Sequence, residues 1–444
     1  MKYLRAITVI LSALLLWGCA STVELGGVER PLMAGRFEEA ATALDEHGAQ
    51  VQHAQGELVL TLDQGMVRHY ARDFESSNKS LTEAERLISD AFTKSITEDV
   101  GSYIVNDNVK AYPGEDFEDI YSNVFKSLNY QALGKTEDAM VEIRRATEKQ
   151  QVLRNKYEKL FAKTSRSARD NDVAAISQND VVSIEFSHSA LADYLGMLYC
   201  RQLGAEADKG YFYRQVSSAF ASQPKLYPFP VPKSLDTELA VPTGMARINI
   251  LAFSGLEPEK KEESTYLPIS NTPAMKIALP VMMRRGTLVS RVDVTIGDEH
   301  FSLEPIEDLS AVAINTFELR AQDIANKTIV RATMKALGTS IVDGVAHHAA
   351  KNSSDADKPG MEFLADMLTL FSNVFSVASE RADLRMSHFF PSIARVGGVN
   401  VSPGTYDVTV QFKDSSGFVV GRVVFKDYVV RSGKLNLCEA VCLR

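Results

Sequence analysis

The residue types that could do chemistry in this 444-residue chain are few and scattered. His347 and His348 stand side by side in a helical stretch. Adjacent helical residues point about 100° apart, so the pair cannot chelate a metal as histidines four apart do. Asp383, Arg385 and His388 could be drawn as a charged catalytic cluster, but the sequence beside them supplies neither a nucleophile nor an oxyanion site. Asp383 and Arg385 read better as a tie between a helix end and the next strand. Ser187-His188-Ser189 lacks the strand–turn–helix setting of a nucleophile elbow. Gly397-Gly398 reads as a turn, with no Gly-Lys-Ser/Thr after it to make a phosphate loop. Tyr211, Phe212 and Tyr213 could stack on a sugar, yet they fit helix-pair packing as well. Cys200 sits in a helical pattern as a buried thiol. Cys438 and Cys442, four apart near the C-terminus, could pair as a small disulfide staple, and without a nearby His they make a weak metal motif. These patterns assign no catalytic, cofactor-binding or metal-ligating residue, so the chain is expected to be non-enzymatic and to need no cofactor.

The elements that position these residues start from an ordinary composition. Hydrophobic residues make up 45% and charged residues 24%, which fits a globular chain and excludes a disordered, collagen-like or polytopic membrane protein. A net charge of -9 gives a nucleic-acid partner no support.

The N-terminus reads as an address. Lys2 and Arg5 precede the apolar run Ala6–Trp17, too short to span a bilayer but suited to a signal segment. The run ends Leu16-Trp17-Gly18-Cys19, which resembles the lipobox of bacterial lipoproteins: an aliphatic residue, a small residue, then Cys. Trp17 is bulkier than usual at its position. The resemblance implies a signal peptide over residues 1–18, acyl (palmitate-type) chains on Cys19 and a lipid-anchored tether over 19–29. An ordinary signal peptide with an incidental Cys is the alternative. Several acyl chains, at ~0.8 kcal/mol per buried CH₂, anchor a protein stably where one is marginal. Ala20, in place of Asp, implies sorting to the outer membrane, facing the periplasm. Loss of Lys2 and Arg5 takes the net charge from -9 to -11, so lipid rather than charge must hold the chain at an anionic surface.

Residues 30–222 read as helix pairs. Gly35, Phe37, Ala40 and Leu44 resemble the middle of a tetratricopeptide repeat (TPR). Gly65, Phe74, Ser77, Leu81 and Ala84 make a second copy; Ser127, Tyr130, Gly134, Ala139, Ile143 and Ala146 a third. Gly196, Tyr199, Gly204 and Ala219 make a weaker fourth. Small residues let paired helices approach closely, and each pair must stack to bury its apolar face. A generic α-bundle is the alternative. Between Glu137 and about Lys163 there is no Pro or Gly, so one long charged helix is expected there.

Pro224, Pro228, Pro230, Pro232 and Pro242 mark residues 223–243 as a stiff linker. After it the period turns to two. Ala246–Phe253, Lys276–Met283, Arg291–Ile296, Tyr406–Phe412 and Gly421–Val430 are expected strands of a β-rich domain, 244–444. A helical insertion, about 321–385, interrupts it. Its apolar helix, 361–378, is expected to be core, with a partner-binding face or a membrane-dipping hairpin as alternatives. The fold class is therefore α+β: an N-terminal TPR-like α-solenoid, then a β-sandwich-like domain with an inserted helical hairpin.

This arrangement, with Ala-Asp-Leu-Arg at 382–385 and Pro-Gly-Thr-Tyr at 403–406, is similar to a family of poorly characterised Gram-negative TPR outer-membrane lipoproteins. The resemblance implies a role in cell-envelope or cell-wall assembly. The expected function is a lipid-anchored scaffold for protein–protein interaction. Its helical repeats would bind envelope proteins on their concave face, and its lipid would bind the membrane. A peptidoglycan- or glycan-acting enzyme, or its accessory subunit, is the alternative from another class; a self-assembling structural lipoprotein is a third.

Overall fold

The computed structural model describes residues 25–97, 112–170, 186–267, 275–321 and 382–444. The protein is a mixed α+β molecule, with paired helices first and β-sheets with a helix after them. Cys19, His347, His348, the apolar stretch 361–378 and nearly all of the expected insertion lie outside the described residues.

The first half holds α1 (Gly26–Met33), α2 (Phe37–Gln55), α3 (Glu57–Tyr70), α4 (Phe74–Thr97), α5 (Asp116–Ala132), α6 (Thr136–Asp170), α7 (Ala190–Leu203) and α8 (Glu206–Ser222). They form four consecutive hairpins, each helix packed on its neighbour in sequence. Two of the small residues singled out in the sequence, Gly65 and Gly196, fall where paired helices touch. A Cβ on Gly65 would lie 2.4 Å from the Leu81 side chain, and one on Gly196 would lie 2.8 Å from the Phe212 ring. Both positions admit no side chain because paired helices touch there. Gly35, Gly134 and Gly204 occupy left-handed turns between paired helices. In the second pair Arg72 takes that conformation instead, at φ 63, where an L side chain is strained. Helix α6 is twice as long as its partner α5, 35 residues against 17.

Residues 223–243 pack as they run. Leu226, Tyr227 and Leu235 are buried, Tyr227 and Phe229 join Phe220 in an aromatic cluster, and the Tyr227 hydroxyl accepts from the Ala190 amide.

Ten strands follow. β1 (Ala246–Leu256), β7 (Pro391–Val401), β6 (Glu304–Asp308) and β10 (Asn436–Cys442) make one sheet in the order β10-β1-β7-β6. β4 (Arg291–Ile296), β5 (Glu299–Ser302), β8 (Gly404–Lys413) and β9 (Val419–Val430) make a second, in the order β5-β4-β8-β9. β2 (Glu259–Leu267) and β3 (Met275–Met283) form a separate hairpin. β10 lies parallel to β1, and residues 309–321 are helical, here α9.

The five expected strand segments fall within β1, β3, β4, β8 and β9. Val292, Val294 and Ile296 on β4, with Val408, Val410 and Phe412 on β8, face Ile248, Ile250, Cys438, Ala440 and Cys442 across one apolar cluster. The opposite face of the first sheet, through Leu251, Phe253, Ala394 and Val396, belongs to the same apolar cluster as the helices. Phe125 on α5 reaches Phe253 on β1 at 5.1 Å between ring centroids. β1 is therefore buried along its whole length.

Two expectations are corrected. Gly397-Gly398 is not a turn but the middle of β7. A Cβ on Gly397 would meet Leu303 at 2.8 Å, and one on Gly398 would meet the Ile248 carbonyl oxygen at 2.6 Å, so close approach excludes a side chain at both. Cys438 and Cys442 do not pair. Four residues along a strand span ~13 Å, about twice the longest Cα separation a disulfide bridges; both are free, buried thiols, as is Cys200.

Gly196→Val is expected to lower stability by ~1–3 kcal/mol through overpacking against Phe212. Arg72→Gly should raise it by up to ~1 kcal/mol by relieving the left-handed strain. Thermal unfolding midpoints of the two variants, read against wild type, check both signs.

Candidate functional site

Helices α3, α5 and α7 turn their inner faces to the first sheet, and the polar residues there meet their partners across the molecule. Asp63 illustrates why they are polar. It sits in the apolar run of α3, fully buried, where an unpaired carboxylate would be costly. Its partner is His388: the backbone N–H donates to Oδ1 at 2.8 Å, and Nδ1 lies 2.7 Å from Oδ2.

His388 belongs to the extended segment 382–390, which enters β7. Among the described residues no strand pairs with this stretch; the Glu257 amide donates to the Phe390 carbonyl, and side chains meet many of its other backbone groups. The Ser387 amide donates to Glu118 Oε1 of α5 at 2.6 Å. The Phe390 amide donates to Glu257 Oε1 at 2.8 Å, and the Ser387 hydroxyl to Glu257 Oε2 at 2.8 Å. In the other direction, the Tyr70 hydroxyl donates to the Phe389 carbonyl, Arg285 to that of His388 and Lys260 to that of Arg385. Phe389 and Phe390 fill the apolar space between helices and sheet. The inner face of the helix pairs is thus a surface that grips an extended polypeptide by its main chain, and the polypeptide it grips is its own.

Three further polar nodes fasten the layers. Glu307 of β6 accepts from the Tyr121 hydroxyl of α5, and from the Ser189 hydroxyl and the Leu191 amide at the start of α7. Burial pushes its carboxyl up to about 7, against the pull of those donors. Asp193 nearby is raised well above its ordinary range, by burial and then by the Glu307 charge. Glu238 binds Arg201, Arg247 and Asn249. His69 of α3 lies between Asn129 of α5 and Glu439 of β10, at 2.6 and 2.7 Å. Burial disfavours its charge, but Glu439 outweighs burial and raises the imidazole above its ordinary value.

Asp383 binds Arg385 through both carboxylate oxygens, at 2.8–2.9 Å, within the extended segment; the helix end it is expected to fasten lies outside the described residues. Burial pushes its carboxyl up, while Arg385 and Lys260 pull harder and hold it below the usual range. Asp383 and His388 therefore face different partners and do not converge on a nucleophile. Ser187 Oγ lies 3.1 Å from His188 Nδ1, while Ser189 caps α7 by accepting from the Ala192 amide. Phe212 packs into its own helix pair; Tyr211 stays on the surface. Among the described residues no group of three or more His, Cys, Asp or Glu is placed to hold a metal, and no helix is long and apolar enough to cross a membrane. Sequence reasoning missed Asp63, Glu118, Glu257 and Glu307. Their one signal is an acid set among apolar residues, as in Leu-Asp-Gln-Gly-Met-Val at 62–67. No family model matches the chain, and neither curated proteins nor solved structures give a match.

Glu307 and His69 both bind protons more tightly folded than unfolded, so each contributes stability that is fully present below its unfolded pKa and lost as pH rises through its folded pKa. For Glu307 that window runs from 4.5 to about 7, and the loss is of order 3 kcal/mol. Glu307→Gln should flatten the fall in urea midpoint between pH 5 and 7. A pH profile parallel to wild type would refute the assignment.

Proposed function

We propose that this protein is a non-enzymatic interaction scaffold, a TPR-like solenoid closed on a β-sandwich and held to the periplasmic face of the outer membrane by acylated Cys19. The anchor rests on the lipobox-like Leu16-Trp17-Gly18-Cys19. The role in envelope assembly rests on that address and on the repeat spacing.

The observation that carries the reading is how the two sides of the helix pairs differ. The inner side is committed to segment 382–390 and the sheet. The outer side, on α6 and α8, leaves apolar side chains in solvent: Val141 is 44% exposed, Val152 62% and Tyr211 43%. Helix α6, at ~1.5 Å per residue, extends about 50 Å and outruns the hairpin that supports it. Exposed apolar residues along a long charged helix suit a protein partner that lies along the helix. The envelope partner therefore engages the outer helices, not the concave face.

Photo-crosslinkers at Val141, Val152 and Tyr211, introduced one at a time and activated in intact envelopes, should each yield a discrete adduct with an envelope protein. A crosslinker at Thr409, on the β8 strand, should not. Adducts from no helix position would remove the scaffold reading. Separately, Cys19→Ser should release the protein from the membrane fraction; retention there would remove the anchor.

A further inference from the structure

A cleft of about 500 Å³ opens where the helical half meets the sheet, lined by the end of α7, the start of α8, residues 239–247 and the turn 432–435. Its size is that of a small-molecule site, and junctions of this kind are where such sites form. In a chain of net charge -9 its lining is cationic: Arg201, Lys209, Arg247 and Lys434 against the single carboxylate of Glu206.

The charge beneath the cleft does not balance. Glu238 is fully buried and is the one carboxylate that ion-pairs with either guanidinium among the described residues, at 2.6 Å from Arg201 and 2.8 Å from Arg247. Two buried or half-buried cations thus share one anion. Arg201 has its donors taken by Glu238 and Asn249. Arg247 does not. It is 3% exposed, its Nη1 reaches Asn400, its Nη2 stands near Glu238 without hydrogen-bond alignment, and its Nε has no partner. A buried guanidinium that is half satisfied is costly unless a further anion completes it. Lys209 is engaged by Glu206 and the Leu239 carbonyl, which leaves Lys434, in the turn 432–435, as the second positive charge lining the opening.

We propose that this cleft binds a small organic anion, its phosphate or carboxylate group taken by the Arg247 and Lys434 cations. The role is separate from the scaffold reading, since neither residue lies on α6 or α8.

The test uses the detergent-solubilised full chain. Inorganic phosphate and acetate are titrated separately, each against sodium chloride at equal ionic strength, with the thermal midpoint and calorimetric heats as readouts. A saturable rise in midpoint with phosphate, with acetate or with both is expected, and the effective probe identifies the head group. Lys434→Glu should weaken that binding roughly 5–10-fold, as expected for reversing a partly screened charge, and Arg247→Met should abolish it. Lys413→Glu, on β8, should leave it unchanged. Absence of a saturable effect of either probe beyond chloride, or wild-type affinity in Lys434→Glu, overturns the proposal. Where Arg247→Met does not fold, the Lys434 result decides alone.

Discussion

An extended segment that no strand pairs with among the described residues has to be satisfied by something, and the structure turns on how this is done for residues 382–390. Buried amides without partners are costly. Here Asp63, Glu118 and Glu257 accept the amides of His388, Ser387 and Phe390, while Tyr70, Arg285 and Lys260 donate to carbonyls. These donors and acceptors come from two different helix pairs, from β2 and from the loops at the base of the β2–β3 hairpin. The segment can be laid down only when helices and sheet are together. The apolar cluster that runs from Leu32 of α1 to Leu443 beside β10 makes the same demand. The helical half and the first sheet thus complete each other's core.

This dependence has an electrostatic side. The seam holds carboxylates that burial pushes toward their protonated forms: Glu118, Glu257, Glu307 and Asp193. Seams of this kind add less stability than apolar packing of equal volume, because desolvation offsets most of the attraction. What they supply is register: Glu118, Glu257 and Glu307 each have one set of donors, and a helix pair shifted by a residue would leave these buried acids unmet. Small residues at the helix contacts set how helices pair, and the seam sets where the pairs sit on the sheet. The inner surface is thus committed to the chain's own segment and sheet.

Part of this was legible beforehand. Gly65 and Gly196 read as contact points between paired helices because only a small residue fits there, and a Cβ at either position collides with the neighbouring helix. Val292, Val294 and Ile296 read as one face of a strand because alternation is a local property, and that face is buried. Other elements were hidden for equally physical reasons. β2 is written in charged residues, Glu-Lys-Lys-Glu-Glu, and shows no apolar alternation. In β10 Cys438, Ala440 and Cys442 face one apolar cluster, while Leu437 and Val441 flank Glu439 on the face toward the other, so no clean alternation marked a strand and Cys438 and Cys442 looked like a staple. Gly397 and Gly398 looked like a turn because glycine marks turns and close contacts alike, and only the neighbouring atoms distinguish them.

The sequence by itself determined what depends on neighbours a few residues away: helix pairs with small residues at their crossings, the strands of clean alternation and the long α6. The tertiary structure alone decided what depends on partners far along the chain: β10 beside β1, His69 against Glu439, Asp63 against His388, and two arginines over one glutamate. A periodicity reports which face of an element is apolar. It carries no information about which distant backbone or charge will meet the polar residue set within that face, because that meeting exists only once the layers have closed.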